Sequence, residues 1–236
     1  MITLRKAEDR GHSDLGWLSS HHTFSFGAYM DPKHMGFRAL RVLNDDRVQP
    51  GKGFGAHGHR DMEILSYVLE GTLAHKDSMG EQHVVGPHEV QAMTAGTGVI
   101  HSEFNGSTTE PVHFFQIWIV PSAEDLEPSY QQFAYEPSEK AGKLRLIAGP
   151  EPNTNPPSAI LRQDARMYAA VLGAGESLAY PIVDGRHAWV HCAAGDLTVN
   201  GLAMKDGDGA AVSDQPSLAL QGAGSRGGEL LLFDLA

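Results

Sequence analysis

Two glycine-rich segments each carry a pair of metal-competent side chains one residue apart, and that spacing constrains the fold more than any other feature. The first runs Gly51-Lys52-Gly53-Phe54-Gly55-Ala56-His57-Gly58-His59. The second, about forty residues on, runs Gly96-Thr97-Gly98-Val99-Ile100-His101-Ser102-Glu103-Phe104-Asn105. Side chains alternate between the faces of a β-strand, so His57 and His59 share a face, and so do His101 and Glu103. Such a pair lies roughly 6.6 Å apart along the strand, a gap two side chains can close onto an ion bonded at about 2.0–2.2 Å. Two such pairs on neighbouring strands would converge as three imidazoles and one carboxylate, an N₃O set suited to a first-row transition metal. Glu63 has the parity of His59, but four residues of extended chain put it ~13 Å away. Glu103 is therefore the expected ligand and Glu63 a structural acid near the site.

The rest of the chain reads as short strands punctuated by turns. Its 27 glycines and 13 prolines are spread along 236 residues rather than gathered in one tract, as many strands joined by tight turns require. Phe24–Phe26, Phe37–Leu43, Met62–Leu69, Leu73–Asp77, Gln82–Val85, Glu89–Met93 and Val112–Val120 are strand candidates, with Asn44-Asp45-Asp46 ending the second. This rhythm predicts an antiparallel barrel or jelly roll. Residues 121–140 turn rich in proline and acid, which predicts a connection between domains. A second β-rich half follows, with Asn200-Gly201 its strongest hairpin signal. The expected division is 1–122 with the metal site, 123–140 as linker, and 141–236 without metal.

Charge and cysteine usage narrow the function. A net charge of −11 with no basic run argues against a nucleic-acid or anionic-membrane surface. No apolar run approaches the ~20 residues of a membrane span. A single cysteine, Cys192, and an N-terminus without an apolar signal core predict a cytoplasmic, reducing setting. Cys192 itself reads as a small core residue. Most other histidines read as scaffold. His12, His21, His22 and His34 fall in loops or at strand edges, His22 close enough to the aromatic Phe24–Phe26 segment to line a pocket. His75, His83 and His88 sit at hairpins and are expected to be exposed. His113 heads a central strand and is expected beside the site. His187 and His191 are too far apart along a strand to chelate together.

At its two glycine-rich segments the chain resembles the cupin superfamily and, within it, the pirin family. Gly51, His57, His59 and Glu63 fit the first cupin motif; Gly98, His101 and Asn105 fit the second, with Gly96 standing where the motif usually has proline. Glu103 is the glutamate of the pirin variant. Arg5-Lys6-Ala7, Gly16-Trp17-Leu18, His22-Thr23-Phe24-Ser25-Phe26, Met35-Gly36-Phe37 and Tyr67-Val68-Leu69-Glu70-Gly71 are also pirin-like. The likeness is strongest in the N-terminal half and points to bacterial pirin-like quercetin 2,3-dioxygenases. It implies an all-β bicupin, two antiparallel jelly-roll barrels packed face to face, with His57, His59, His101 and Glu103 as ligands. The implied ion is iron(II), with zinc, manganese, nickel, cobalt or copper as alternatives. The implied reaction is O₂-dependent cleavage of a flavonol by a monomer, with Glu103 as the catalytic base. The rival expectation is a non-catalytic pirin acting as a redox-sensitive module that binds a protein partner. A deep aromatic opening above the metal would favour the enzyme, and a plugged metal the binding module.

Overall fold

The polar triplet Asn44-Asp45-Asp46, expected to end a strand, instead lies inside one, and that strand is central to how the site is built. In a computed structural model describing residues 1–236, the first twelve strands are β1 (Ile2–Arg5), β2 (Gly11–Asp14), β3 (Leu18–His22), β4 (Leu40–Val48), β5 (Gly53–His59), β6 (Glu63–Glu70), β7 (Leu73–Asp77), β8 (Gln82–Val85), β9 (Glu89–Thr94), β10 (Val99–Asn105), β11 (Val112–Ile119) and β12 (Ser129–Ala134). Strand β4 continues through the triplet because every member finds a partner within the sheet. His22 Nδ1 lies 2.9 Å from Asn44 Oδ1, His113 Nε2 lies 2.7 Å from Asp45 Oδ1, and Ser20 hydrogen-bonds the Asp46 carboxyl. Buried polar groups are tolerated when they are paired.

The chain divides into two compact units, and both are built of antiparallel strands, in agreement with the all-β expectation. One comprises residues 11–135 and 151–163. Its strands form a four-stranded sheet, β5-β10-β7-β8, and a seven-stranded sheet, β12-β9-β6-β11-β4-β3-β2. Their inward apolar side chains make the core, among them Val68, Leu73, Val85, Val112 and Phe114.

The boundaries differ from those expected. Residues 123–140 are not a free linker throughout. Ser129–Ala134 pairs antiparallel with Glu89–Thr94, and its polar side chains are used: Gln131 exchanges hydrogen bonds with the backbone of Ile160, and Gln132 donates to the Val84 carbonyl. Composition made the segment look like a connection, and those specific partners make it a strand. Residues 1–10 belong to the other unit, with 136–150 and 164–236. There β1 pairs with Gly209–Val212. The remaining order runs from Gly209–Val212 through His187–Val199, Gly228–Leu235 and Ala165–Leu172 to Arg145–Gly149. The hairpin at Asn200-Gly201 forms, with φ of +49° and +80° at its two residues, as its asparagine–glycine pair requires. Cys192 is buried, and burial pushes its thiol up, which fits an inert core residue. No helix is long and apolar enough to cross a membrane.

Gly96 explains the departure from the second motif. Its φ is +45°, and a Cβ there would collide with the Leu126 carbonyl. Proline, held near −65°, could not adopt this conformation. Gly96→Ala is expected to lower stability by about 2 kcal/mol or more, from the left-handed backbone alone plus the clash. A urea midpoint equal to the parent's would show that the turn rearranges freely.

Candidate metal centre

Three adjacent strands of the smaller sheet each present two inward side chains. Strand β10 lies between β5 and β7, with His101 opposite His57 on one side and opposite Asp77 on the other, while Glu103 stands opposite His75. The pattern that singled out His57/His59 and His101/Glu103 therefore occurs a third time, as His75-Lys76-Asp77. The expectation that His75 is exposed is overturned, since it is 1% exposed. The i,i+2 signal for it was present in the sequence, but the nearby hairpin hid it.

His57, His59 and His101 offer ligand nitrogens all within 4.8 Å of one another. Glu103 is set differently. Its carboxylate joins His75 and His101 in a second group of the same tightness, and the four residues expected as ligands do not form a single set at that separation. Glu63 belongs to neither group. It accepts hydrogen bonds from Thr94 Oγ1 at 3.1 Å and from the Arg162 backbone at 3.2 Å, the structural role expected of it.

A bulge shapes the near side of the centre. Between β10 and β5 the register shifts, so that His101 faces His57 but Glu103 faces Phe54. Strand β5 thus carries one residue more than β10 over this interval, which bends the strand and re-aims its side chains. Phe54 and His57, three residues apart, both line one cavity.

The hydrogen bonds decide which ring nitrogens carry protons. His57 Nδ1 donates to the Gly55 carbonyl at 2.7 Å, so a neutral His57 keeps its lone pair on Nε2. His75 Nε2 donates to Asp77 at 2.9 Å, leaving His75 Nδ1 as an acceptor for Gln91 at 3.2 Å and for His101 Nδ1 at 3.4 Å. His101 therefore carries its proton on Nδ1 and its lone pair on Nε2. That lone pair faces the lone pair of His57 Nε2 across 3.1 Å. His59 Nε2 is buried with no hydrogen-bond partner.

Two of these rings, His59 and His101, are also held neutral. Burial, then the neighbouring His57, lowers the His59 pKa to about 4. Burial, then His59, His57 and His75, lowers that of His101 to about 3. Two opposed lone pairs and an orphaned third nitrogen repel one another unless a cation lies among them. A separation of 3.1 Å suits two adjacent ligands at about 2.1 Å from one ion. The residues present fit a divalent metal.

Glu103 is 1% exposed and spans to the facing sheet. Ser66 of β6 donates to its Oε1 at 3.1 Å, and Gln116 of β11 donates to its Oε2 at 2.8 Å. Burial raises its pKa, while His75, Ser66, His57 and Gln116 oppose the rise. Ser66 Oγ also lies 2.9 Å from Gln116 Oε1. The three side chains thus close a ring that can host the carboxyl with or without its proton.

Above the centre opens a cavity of about 320 Å³, which His57 and Glu103 both line. Its walls are mainly apolar: Leu15, Leu18, Phe26, Phe54 and Trp118. Trp118 packs edge-on against His59, with centroids 4.9 Å apart, and against Phe26 at 5.4 Å. His22 lines the cavity, as the sequence suggested, and Phe26 lines it too, whereas Phe24 is a core residue, 2% exposed. His113 does not reach the centre and is taken up by Asp45.

Sequence reading did not single out Asp46, a cavity-lining acid that is 4% exposed. Burial pushes its carboxyl up to about 7, with the Ser20 hydrogen bond opposing and the charges of Asp45 and Glu103 adding. A carboxyl raised from 3.8 stays protonated in the fold while the unfolded chain ionises. Its contribution to stability is therefore complete below about pH 4 and is lost as pH rises through about 7. Asp46→Asn, which cannot ionise, is expected to stabilise chelator-treated protein increasingly between pH 5 and 8, by at most about 4 kcal/mol. Urea midpoints at both pH values check this; an advantage that did not grow with pH would contradict it.

A family model described as Pirin matches residues 3–119, and one described as a quercetinase C-terminal cupin domain matches residues 146–235. The curated quercetin 2,3-dioxygenase of Escherichia coli K12 is 44% identical over 235 residues, covering 100% of this chain and 99% of that protein. The crystal structure of the bacterial pirin YhhW of E. coli in complex with nickel(II) matches with a TM-score of 0.93 at 44% identity, covering 100% of this chain and 99% of that one. The E. coli protein YhaK matches with a TM-score of 0.74 at 30% identity, covering 95% and 97%.

Proposed function

The chain belongs to the pirin family of cupin proteins, and on that premise we propose that it is a metal-dependent dioxygenase that cleaves flavonols such as quercetin with O₂. The observation that carries this reading is the apolar, aromatic-walled cavity whose lining includes His57 and Glu103. A metal serving only to tune a surface would have no use for it. Cavities of ~300–1,000 Å³ lined mostly by apolar groups with a few convergent polar ones are typical of small-molecule sites.

His57, His59 and His101 would hold the ion, with Glu103 completing the N₃O set. Iron(II) is our assignment, with nickel, the ion in complex with the E. coli relative, as the first alternative. When bound, the ion would supply Lewis acidity toward a substrate hydroxyl and a partner for oxygen chemistry. The protein's own groups do the rest. Phe26 and Trp118 flank the flat rings of the substrate and exclude water. Glu103 takes the proton of the 3-hydroxyl, and Ser66 and Gln116 hold the acid in place once it is protonated. The resulting flavonolate is the electron-rich species that O₂ attacks, opening the ring with loss of carbon monoxide. A cytoplasmic setting belongs to the same reading, since Cys192 is free.

The test is elemental analysis of protein purified without added metal, followed by anaerobic iron loading and an oxygen-uptake assay over a flavonol panel. Consumption of O₂ that requires both the ion and a 3-hydroxyl is the expected result. Metal-loaded protein that leaves every flavonol intact would overturn the enzyme reading and favour the interaction module.

A further inference from the structure

The buried pair His75–Asp77 makes a pattern that ligand assignment alone does not explain. Both side chains are 0% exposed and 2.9 Å apart, and the pair abuts His101 through His75 Nδ1 at 3.4 Å. Sealing a carboxylate and an imidazole away from water is costly unless every polar atom is used, and here each is. Asp77 Oδ2 accepts from His75 Nε2. Asp77 Oδ1 accepts from the backbone N–H of Met79 at 2.9 Å and of Glu81 at 3.1 Å, which ties down the turn between β7 and β8. His75 Nδ1 receives Gln91 and His101.

We propose that Asp77 and His75 are positioning residues for the metal: acting in series, they fix the proton of His101 on Nδ1 and so turn its Nε2 lone pair toward the ion. This rests on the metal-centre reading above and extends it to two residues outside the ligand set. A metal-bound histidine commonly donates its other N–H to a carboxylate, and losing that partner typically costs 10–100-fold in metal affinity. Here a second imidazole is interposed, and the carboxylate sets two tautomers rather than one.

The arrangement makes one conservative substitution unusually informative. In Asp77→Asn the turn still demands an acceptor at the Oδ1 position, because two backbone N–H groups point at it. The amide oxygen must occupy that place, and the amide nitrogen must then face His75 Nε2. An N–H meeting Nε2 forces His75 to carry its proton on Nδ1, and the Gln91 amide, which donates to Nδ1 in the parent, turns to present its oxygen there. That proton meets His101 Nδ1, so His101 shifts its own proton to Nε2, where it points at His57 and blocks the ion. The substitution keeps size, turn and packing while inverting both rings.

The experiment compares full-length parent and Asp77→Asn by nickel(II) affinity, measured against a chromophoric chelator, and by ¹⁵N imidazole NMR of the metal-free proteins. Expected are a nickel affinity at least about 10-fold weaker in the variant and NMR patterns showing His101 protonated on Nδ1 in the parent and on Nε2 in the variant. Parent protein that binds nickel tightly while Asp77→Asn binds it equally well would overturn the proposal and leave the metal centre standing. Parent protein that binds no nickel at all would overturn both. Should Asp77→Asn fail to fold, the parent NMR decides by itself, because His101 protonated on Nε2 there contradicts the relay.

Discussion

His101→Ala is expected to lose both metal retention and flavonol-dependent oxygen uptake, with the rate falling roughly 10³-fold or more, equivalent to about 4 kcal/mol of transition-state stabilisation. Among the candidate ligands His101 is the one that joins the two halves of the centre. Its Nε2 faces His57 at 3.1 Å, its Nδ1 faces His75 at 3.4 Å, and the ring is 1% exposed. Removing it takes away the one residue common to both groups, so that His57 and His59 no longer share a ligand with Glu103 and the hold on a divalent ion is weakened. Stability supplies a second readout independent of turnover. An ion that binds only the folded state stabilises it by about 2.7 kcal/mol at a hundredfold excess over Kd, or roughly 5–10 °C in Tm for a chain of this size. The parent should show that metal-dependent rise, and His101→Ala should not. His12→Ala serves as the control, because His12 only stacks on His21 with centroids 4.4 Å apart and bonds Ser19. A His101→Ala protein that kept its metal and its activity would remove the basis for the whole site.

Glu103→Gln is expected to separate the holding of the ion from the handling of the proton. Glutamine has the shape of glutamate and can keep the ring with Ser66 and Gln116: its oxygen accepts from Gln116, and its nitrogen donates to Ser66. The fold should therefore persist, with a Tm within a few degrees of the parent's. What disappears is a base. General-base catalysis by a positioned carboxylate contributes typically 10²–10⁴-fold, and a loss of kcat of that size is expected at saturating metal, when the three histidines can still bind the ion. The comparison that decides is activity per bound metal. If Glu103→Gln loses activity only in proportion to the metal it fails to bind, Glu103 is a ligand and nothing more. A fall of at least 10² in the fully loaded variant assigns it the proton.

Much of the centre was legible in the chain because the relevant rule is local. Alternation with a period of two depends on the backbone of one strand, so His57/His59 and His101/Glu103 could be paired without knowing any neighbour. The Asn200-Gly201 hairpin was legible for the same reason, since its positive φ values are a property of two residues. Glu63 could be set aside on distance along the chain. Other features obeyed the same local chemistry and still escaped. His75-Lys76-Asp77 has the spacing of the other two pairs, but its role exists only because β7 lies beside β10. Asn44-Asp45-Asp46 looked like a strand terminus, yet His22, His113 and Ser20 carry it through the sheet.

The sequence alone therefore determined which side chains share a face, that the protein would be built of antiparallel strands, and which residue types could bind an ion. Tertiary structure alone decided which strands are neighbours. It placed Ile2–Arg5 in the C-terminal unit and Ser129–Ala134 in the N-terminal one, opened the bulge that turns Phe54 inward, and set Asp77 behind His75 behind His101. The physical reason is that a strand's faces are fixed by its own dihedral angles, while its partners are fixed by hydrogen bonds and burial shared with residues far away in the chain. A proton on a ring nitrogen is settled later still, once every donor and acceptor around it has found its place.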